Sequence, residues 1–247
     1  MKKNLSAIVT GAGLLILWQI GAGLAGISHI LPRPTDVLVC LWNKREVLFK
    51  VHMVETLKAI VIGYLIAIVI GVLLAVIMDL SEKLEAMMYP VFVIIETIPI
   101  MCIAPLFVLW FGYTLSARIL AIVLSTFFSI TVNTFDGLKK INKESCELMK
   151  TYGAKTMQLF WHIKLPTALP YFMTSLKITF PWAVIGAAIA EWLGANRGLG
   201  YYSKLMVSKL DGGTVFAAVL ILSVIAVAGI AVIKFIDLKF VFWRSDI

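Results

Sequence analysis

"ESCELMKTYGAKTMQLFWHIKLP", residues 144–166, is a charged stretch in a chain that is otherwise oily. Its spacing reads as two short helical arms about an elbow. Helix-forming residues run from Lys143 to Tyr152, with Glu147 and Lys150 three apart on one face and able to pair weakly. Gly153 supplies the left-handed conformation that ends a helix without steric cost. "AKTMQLFWHIK" then starts a second arm, and Leu165-Pro166 closes it and leads onward. Taken alone, the stretch fits either an amphipathic hairpin resting on lipid or a rigid lever offered to a soluble partner.

The rest of the chain decides what carries the elbow. Of its 247 residues, 61% are hydrophobic and 15% charged, against about 45–50% and about 25% in soluble domains. With 22 Lys or Arg and 14 Asp or Glu, no soluble surface can be coated, whereas a bilayer removes that requirement. The apolar residues also gather into runs long enough to cross about 30 Å of hydrocarbon, which takes about 20 helical residues. Asn4–Leu31, Ala59–Met78, Ile119–Phe135 and Gly212–Ile233 hold no Lys, Arg, Asp or Glu; Ala86–Ala117 holds only Glu96, and Leu165–Ala190 only Lys177. The expected fold class is an all-α polytopic membrane protein, a single membrane domain over 1–247. Its spans are expected near 5–27, 57–79, 86–110, 117–136, 167–190 and 213–236, about six transmembrane helices, with the elbow in a loop at 137–166. The first run exceeds the about 7–15 apolar residues of a cleaved signal core, so it is expected to remain as a span.

Charge sets the orientation. The loop carrying Lys139, Lys140, Lys143, Lys150, Lys155 and Lys164 is basic, which assigns it to the cytosol. Six spans then put both termini there, Lys2 and Lys3 at one end and Lys234, Lys239 and Arg244 at the other. The third span holds Pro90, Pro99 and Pro105, each removing a backbone donor and tending to kink the helix. Such breaks survive in lipid where neighbouring protein or a water-filled cavity re-satisfies the backbone, so this span is expected inside the assembly. "LPRPTDVLVCLWNKREVLF" (31–49) reads as a helix at the membrane interface or as a plain connector. No internal repeat is legible, so the second half of any pathway would come from another copy or a paralogue.

The chemistry bounds the function. "GANRGLGYYSK" (194–204) is glycine-rich but lacks the spacing of a phosphate loop; no cofactor is expected on this chain. His29, His52 and His162, and Cys40, Cys102 and Cys146, stand at unrelated positions, which gives no metal site. No hydrolase constellation stands out, so no enzyme is expected. The formal charge of +8 fits membrane topology better than nucleic acid. Charges within the spans cost about 2.5–3.5 kcal/mol at mid-bilayer on the insertion scale and mark candidates. Glu96, before Pro99, either lines a pathway or partners a freed backbone donor or Lys177. Glu191, which opens "EWLGANRGLGYY", either lines the pathway or is an interfacial carboxylate beside Trp192. Trp182 is either packing or a stacking platform. A proton-coupled carrier using Glu96 or Glu191 as a relay is the alternative from another mechanistic class.

The opening stretch is similar to the cytosolic signature of permease subunits of bacterial ATP-binding-cassette importers: Glu-Ala-Ala, three residues, Gly, nine residues, Ile, one residue, Leu-Pro. Here Glu147, Gly153, Ile163, Leu165 and Pro166 stand at those positions, and Leu148 and Met149 replace the two alanines. The likeness extends from about Leu31 to Arg244. "TIPIMCIAPLFVLWFGY" (97–113) and "TVNTFDGL" (131–138) resemble the group importing nitrate, sulfonates, taurine and heteroaromatic vitamin precursors, and "AEWLGANRGLGYY" (190–202) looks most like permeases for the pyrimidine precursor of thiamine. The resemblance implies a type I importer fold in the bacterial cytoplasmic membrane. Its partners would be a second permease subunit, as a homodimer, two cytosolic ATPases holding ATP and Mg, and an extracytoplasmic binding protein. It assigns ATPase coupling to Glu144, Glu147, Lys150, Gly153, Ala154, Ile163, Leu165 and Pro166. The pathway candidates are Glu96, Pro99, Trp182, Glu191 and Trp192. An excess of acidic over basic residues in the spans favours a hydroxymethylpyrimidine-type solute, with sulfonate, taurine, nitrate or riboflavin as alternatives.

Overall fold

Every regular element among the described residues, 2–141 and 143–241 of the computed structural model, is helical. Arg244, expected at the cytosolic C-terminus, lies outside them. Helix α1 (Lys2–Ala25) is followed by α2 (Pro34–Asn43) and by a π-helical segment, Glu46–Met53, that runs into α3 (Val54–Asp79). Then come α4 (Glu82–Thr97), α5 (Ile100–Phe111), α6 (Leu115–Lys139) and α7 (Lys143–Thr151). Helix α8 (Thr156–Leu159), a second π-helical segment (Phe160–Lys164) and α9 (Leu165–Gly194) form one rod; α10 (Leu199–Ser208) and α11 (Gly212–Phe240) complete the chain.

Among the described residues, four rods are long and apolar enough to cross a membrane: Glu46–Asp79, Leu115–Lys139, Thr156–Gly194 and Gly212–Phe240. Val9–Ala25 of α1 is a shorter apolar stretch, and α4 with α5 makes a bent pair. The three prolines predict distributed kinks, but the bend of 92° falls at one of them. Ile98, preceding Pro99, takes φ −78° and ψ 119°, because a proline ring excludes its predecessor from the helical region. Pro90 and Pro105 stay inside their helices.

The centre of the bundle is α3 against α6 and α9. Ala59, Gly63, Ala67, Gly71 and Ala75 recur every fourth residue on the buried face of α3, leaving a groove. Ile122, Thr126 and Ile130 of α6 form the opposing ridge. The fit is close: a Cβ at Gly63 would lie 2.9 Å from Ile122 Cβ, and one at Gly71 2.7 Å from Ile130 Cγ2. Lipid tails are as apolar as leucine, so helices associate through such packing. Tyr64 ties α3 to α9 by donating to the Leu176 carbonyl at 2.8 Å and meeting Phe180 edge-on.

Ion pairs staple the helix ends. Lys164 meets Asp79 at 2.7 Å and Lys139 meets Glu85 at the elbow end, and Lys44 meets Asp211 at the opposite end. Between the helices Lys177 of α9 pairs with Asp237, near the end of α11, at 2.8 Å. The reading in which Lys177 serves Glu96 is therefore corrected: Glu96 lies beside Ser129 of α6 instead. The reason is that α11 continues past its apolar run and brings Asp237 alongside α9.

Candidate functional site

At the elbow end, α7 stops where Gly153 adopts φ +83°. The Ala154 N–H donates to the Met149 carbonyl at 3.0 Å and the Gly153 N–H to the Lys150 carbonyl at 2.9 Å, the paired bonds of a Schellman cap. The second arm starts with the Lys155 N–H donating to the Gln158 side chain at 2.8 Å. Leu165-Pro166 does not close this arm, contrary to the sequence reading. The arm passes through the π-helical segment straight into α9, giving one rod of 39 residues, Thr156–Gly194. The wider π turn makes this possible: Leu165 donates to Phe160 five residues back, and Pro166 sits in the first turn of α9, where a missing donor is tolerated. Lys164, bonded to Asp79, fixes the rod to the end of α3.

Around the elbow Glu144, Glu147 and Lys150 are exposed, while Ala154, Ile163, Leu165 and Pro166 are half-buried. Met149, Tyr152, Gly153, Ala154, Gln158 and His162 line a cavity of about 420 Å³. Of the two residues that replace the family's alanines, Leu148 is 58% exposed and Met149 faces that cavity. Leu148, Tyr152, Met157 and Trp161 together leave apolar surface uncovered on a polar segment, which marks an interaction site.

At the opposite end Glu191 is 0% exposed. Its carboxylate accepts from Thr56 Oγ1 at 2.8 Å and from the Gly200 N–H at 2.8 Å, and Arg118 Nη1 lies 3.6 Å away. The Leu199 N–H donates to Thr56 Oγ1 at 2.8 Å and the Gly198 N–H to His52 Nδ1 at 3.2 Å. His52 stacks on Tyr202 with ring centroids 4.4 Å apart. The three leading N–H groups of α10 are thus each held by a side chain, as a helix N-terminus requires. Gly198, at φ +120°, lies where any Cβ would collide with the Glu191 carboxylate. This is a clamp joining α3, α6, α9 and α10, so Glu191 points into an enclosed polar network and not onto a pathway surface.

The other pathway candidates lie on the outside of the single chain. Glu96, Pro99, Trp182 and Trp192 are all exposed; Trp192 lines a cavity of about 210 Å³ with Met101 and Ile189. Sequence reasoning found Glu191 but missed Thr56, His52 and Arg118. Arg118 had one legible signal: it is the cation between the apolar runs that end at Ala117 and begin at Ile119.

Residues 67–241 match the family described as the binding-protein-dependent transport system inner membrane component. Formylaminopyrimidine transport permease protein ThiX of Halalkalibacterium halodurans is 45% identical over 232 residues, covering 94% of this chain and 93% of that protein. Riboflavin transport system permease protein RibX of Chloroflexus aurantiacus is 32% identical over 235 residues, with 94% and 88% covered. Among solved structures, an inward-facing form of the MetNI methionine ABC transporter shares the fold, with TM-score 0.56 and 22% identity over 82% of this chain and 97% of that one.

Proposed function

The chain belongs to the binding-protein-dependent transport system inner membrane component family, as a multi-pass membrane permease subunit of a type I ATP-binding-cassette importer, and on that premise we propose that it imports an aminopyrimidine, driven through the elbow at 143–166. ATP and Mg reside on a separate ATPase subunit, and this chain binds no cofactor. Two copies of the chain form the conduit, two ATPases engage the elbows, and an extracytoplasmic binding protein delivers solute. The elbow and both termini face the cytosol, in line with the basic loop from Lys139 to Lys164. Support for the solute comes from the 45% identity to a formylaminopyrimidine permease.

The observation that carries the coupling is the uninterrupted rod Thr156–Gly194. Its rise of about 1.5 Å per residue gives a lever of about 58 Å, one end in the elbow and the other at the Glu191 clamp. A push on α7 reaches the rod through the hydrogen-bonded Gly153 turn, which resists folding up because its N–H groups are already paired. Lys164 on Asp79 makes the end of α3 move with it. Glu144, Glu147 and Lys150 present charge to the ATPase, Gly153 and Ala154 shape the turn, and Ile163, Leu165 and Pro166 join arm to span.

Reconstitution with the partner ATPase and binding protein tests this. Glu147→Arg is expected to lower ATP-driven aminopyrimidine uptake at least about tenfold while the chain still assembles in the membrane, since reversing an exposed charge at a contact costs several kcal/mol across an interface. Wild-type uptake by that variant would count against the coupling assignment.

A further inference from the structure

Most outward faces of the spans are apolar, as lipid demands: Val61, Leu65, Val69 and Leu73 of α3, and Val224 and Val227 of α11, are exposed. One face of α6 differs. Ser125, Ser129 and Asn133 recur every fourth residue and are half-buried, and Asp136, three further on, is exposed. That spacing places all four on one face. The adjoining face, with Ile122, Thr126 and Ile130, is packed against α3, and at the top of the stripe Ser125 lies against Gly186 of α9, so the accessible part runs from Ser129 to Asp136. Glu96 of α4 lies beside the stripe, near Ser129. Hydroxyl, amide and carboxylate groups along one line of a span are not left against hydrocarbon; such groups face a bundle interior or water.

We infer that this stripe, with Glu96, is the wall along which solute crosses, and that it takes a neutral heteroaromatic ring bearing N–H donors. The inference rests on the importer reading above. The chemistry follows from what the stripe has left to offer. Ser125 donates to the Ala121 carbonyl at 2.7 Å, and the Asn133 amide gives one of its two N–H groups to the Ser129 carbonyl at 2.7 Å, which leaves a single amide donor on the stripe. The Asn133 oxygen and the carboxylates of Glu96 and Asp136 are acceptors that outnumber it. An amino-substituted ring supplies the complementary donors, and a sulfonate would meet acceptors and like charge. At the elbow end the stripe opens into a cavity of about 420 Å³ lined by Asn133, Asp136, Lys139, Lys140 and Tyr171, where Tyr171 offers an aromatic face and Lys139 is engaged by Glu85. A second copy facing the same stripe completes the conduit.

The test is thiol labelling in the complete importer. Cys40→Ser, Cys102→Ser and Cys146→Ser give the background, into which Ser129→Cys, Asn133→Cys or, on the lipid side of α3, Val69→Cys is introduced. A membrane-impermeant charged methanethiosulfonate is the reagent and formylaminopyrimidine the solute. The stripe cysteines are expected to react at least about tenfold faster than the cysteine at 69, and to be slowed at least about threefold during pyrimidine import. Stripe cysteines as inert as the lipid-facing control, in an importer that still takes up pyrimidine, would overturn the pathway and mean that the second copy packs directly on this face. Labelling without protection would overturn the contact between solute and stripe. Labelling in an importer that takes up no pyrimidine would instead overturn the solute reading and keep the water-filled wall.

Discussion

Glu191 shows what a single residue tells in sequence and what it withholds. A carboxylate at the end of an apolar run flags itself, because burying it unpaired is prohibitive. Its partners do not, since Thr56 lies 135 positions away and a threonine carries no signal of its own. The clamp yields a graded expectation. Glu191→Gln keeps an oxygen for the Gly200 N–H but gives up the charge facing Arg118, and is expected to destabilise by about 1–3 kcal/mol. Glu191→Leu also leaves the Gly200 N–H without its acceptor and Arg118 reliant on Glu55 alone, for about 3–5 kcal/mol. Denaturation of the detergent-solubilised chain should rank wild type above Gln above Leu. Equal stability of the leucine variant would show that the network carries no weight.

The elements were legible to different degrees, for physical reasons. Apolar runs located α3, α6, α9 and α11 because length and hydrophobicity are what a bilayer selects. The elbow was legible because a glycine between two amphipathic segments is the natural stop, and Gly153 does adopt φ +83°. Gly153→Ala is accordingly expected to cost about 1–2 kcal/mol locally. Gly153→Pro, which also removes the N–H given to Lys150, should abolish uptake while leaving membrane insertion intact. The continuity across Leu165-Pro166 was not legible, because a proline can end a helix, open its first turn or be carried inside one, as Pro90, Pro105, Pro170 and Pro181 are, and only the backbone shows which applies. Nor did a count of hydrophobic residues reveal the repeat of Ala59, Gly63, Ala67, Gly71 and Ala75, which matters through shape. Gly71→Leu, forcing a side chain into Ile130, is expected to cost about 1–3 kcal/mol and to lower the melting temperature of the purified chain. An unchanged melting temperature would mean that α3 and α6 are not held by that groove.

On the scale of the whole molecule, two polar sites lie at opposite ends of a single rod. The elbow opens Thr156–Gly194 at one end, and Glu191 anchors the other end to α3, α6 and α10. The polar face of α6 runs beside this rod, so movement of the rod bears directly on the proposed conduit. In the proposed importer the work comes from the separate ATPase subunit. Uptake by proteoliposomes is therefore the most direct measurement: labelled formylaminopyrimidine outside, ATP inside, this chain with its binding protein, and the ATPase subunit either present or omitted. Uptake is expected only with the ATPase and ATP, and to fall at least about tenfold with Gly153→Pro. Uptake without the ATPase under a proton gradient, undiminished by Gly153→Pro, would contradict coupling through the elbow.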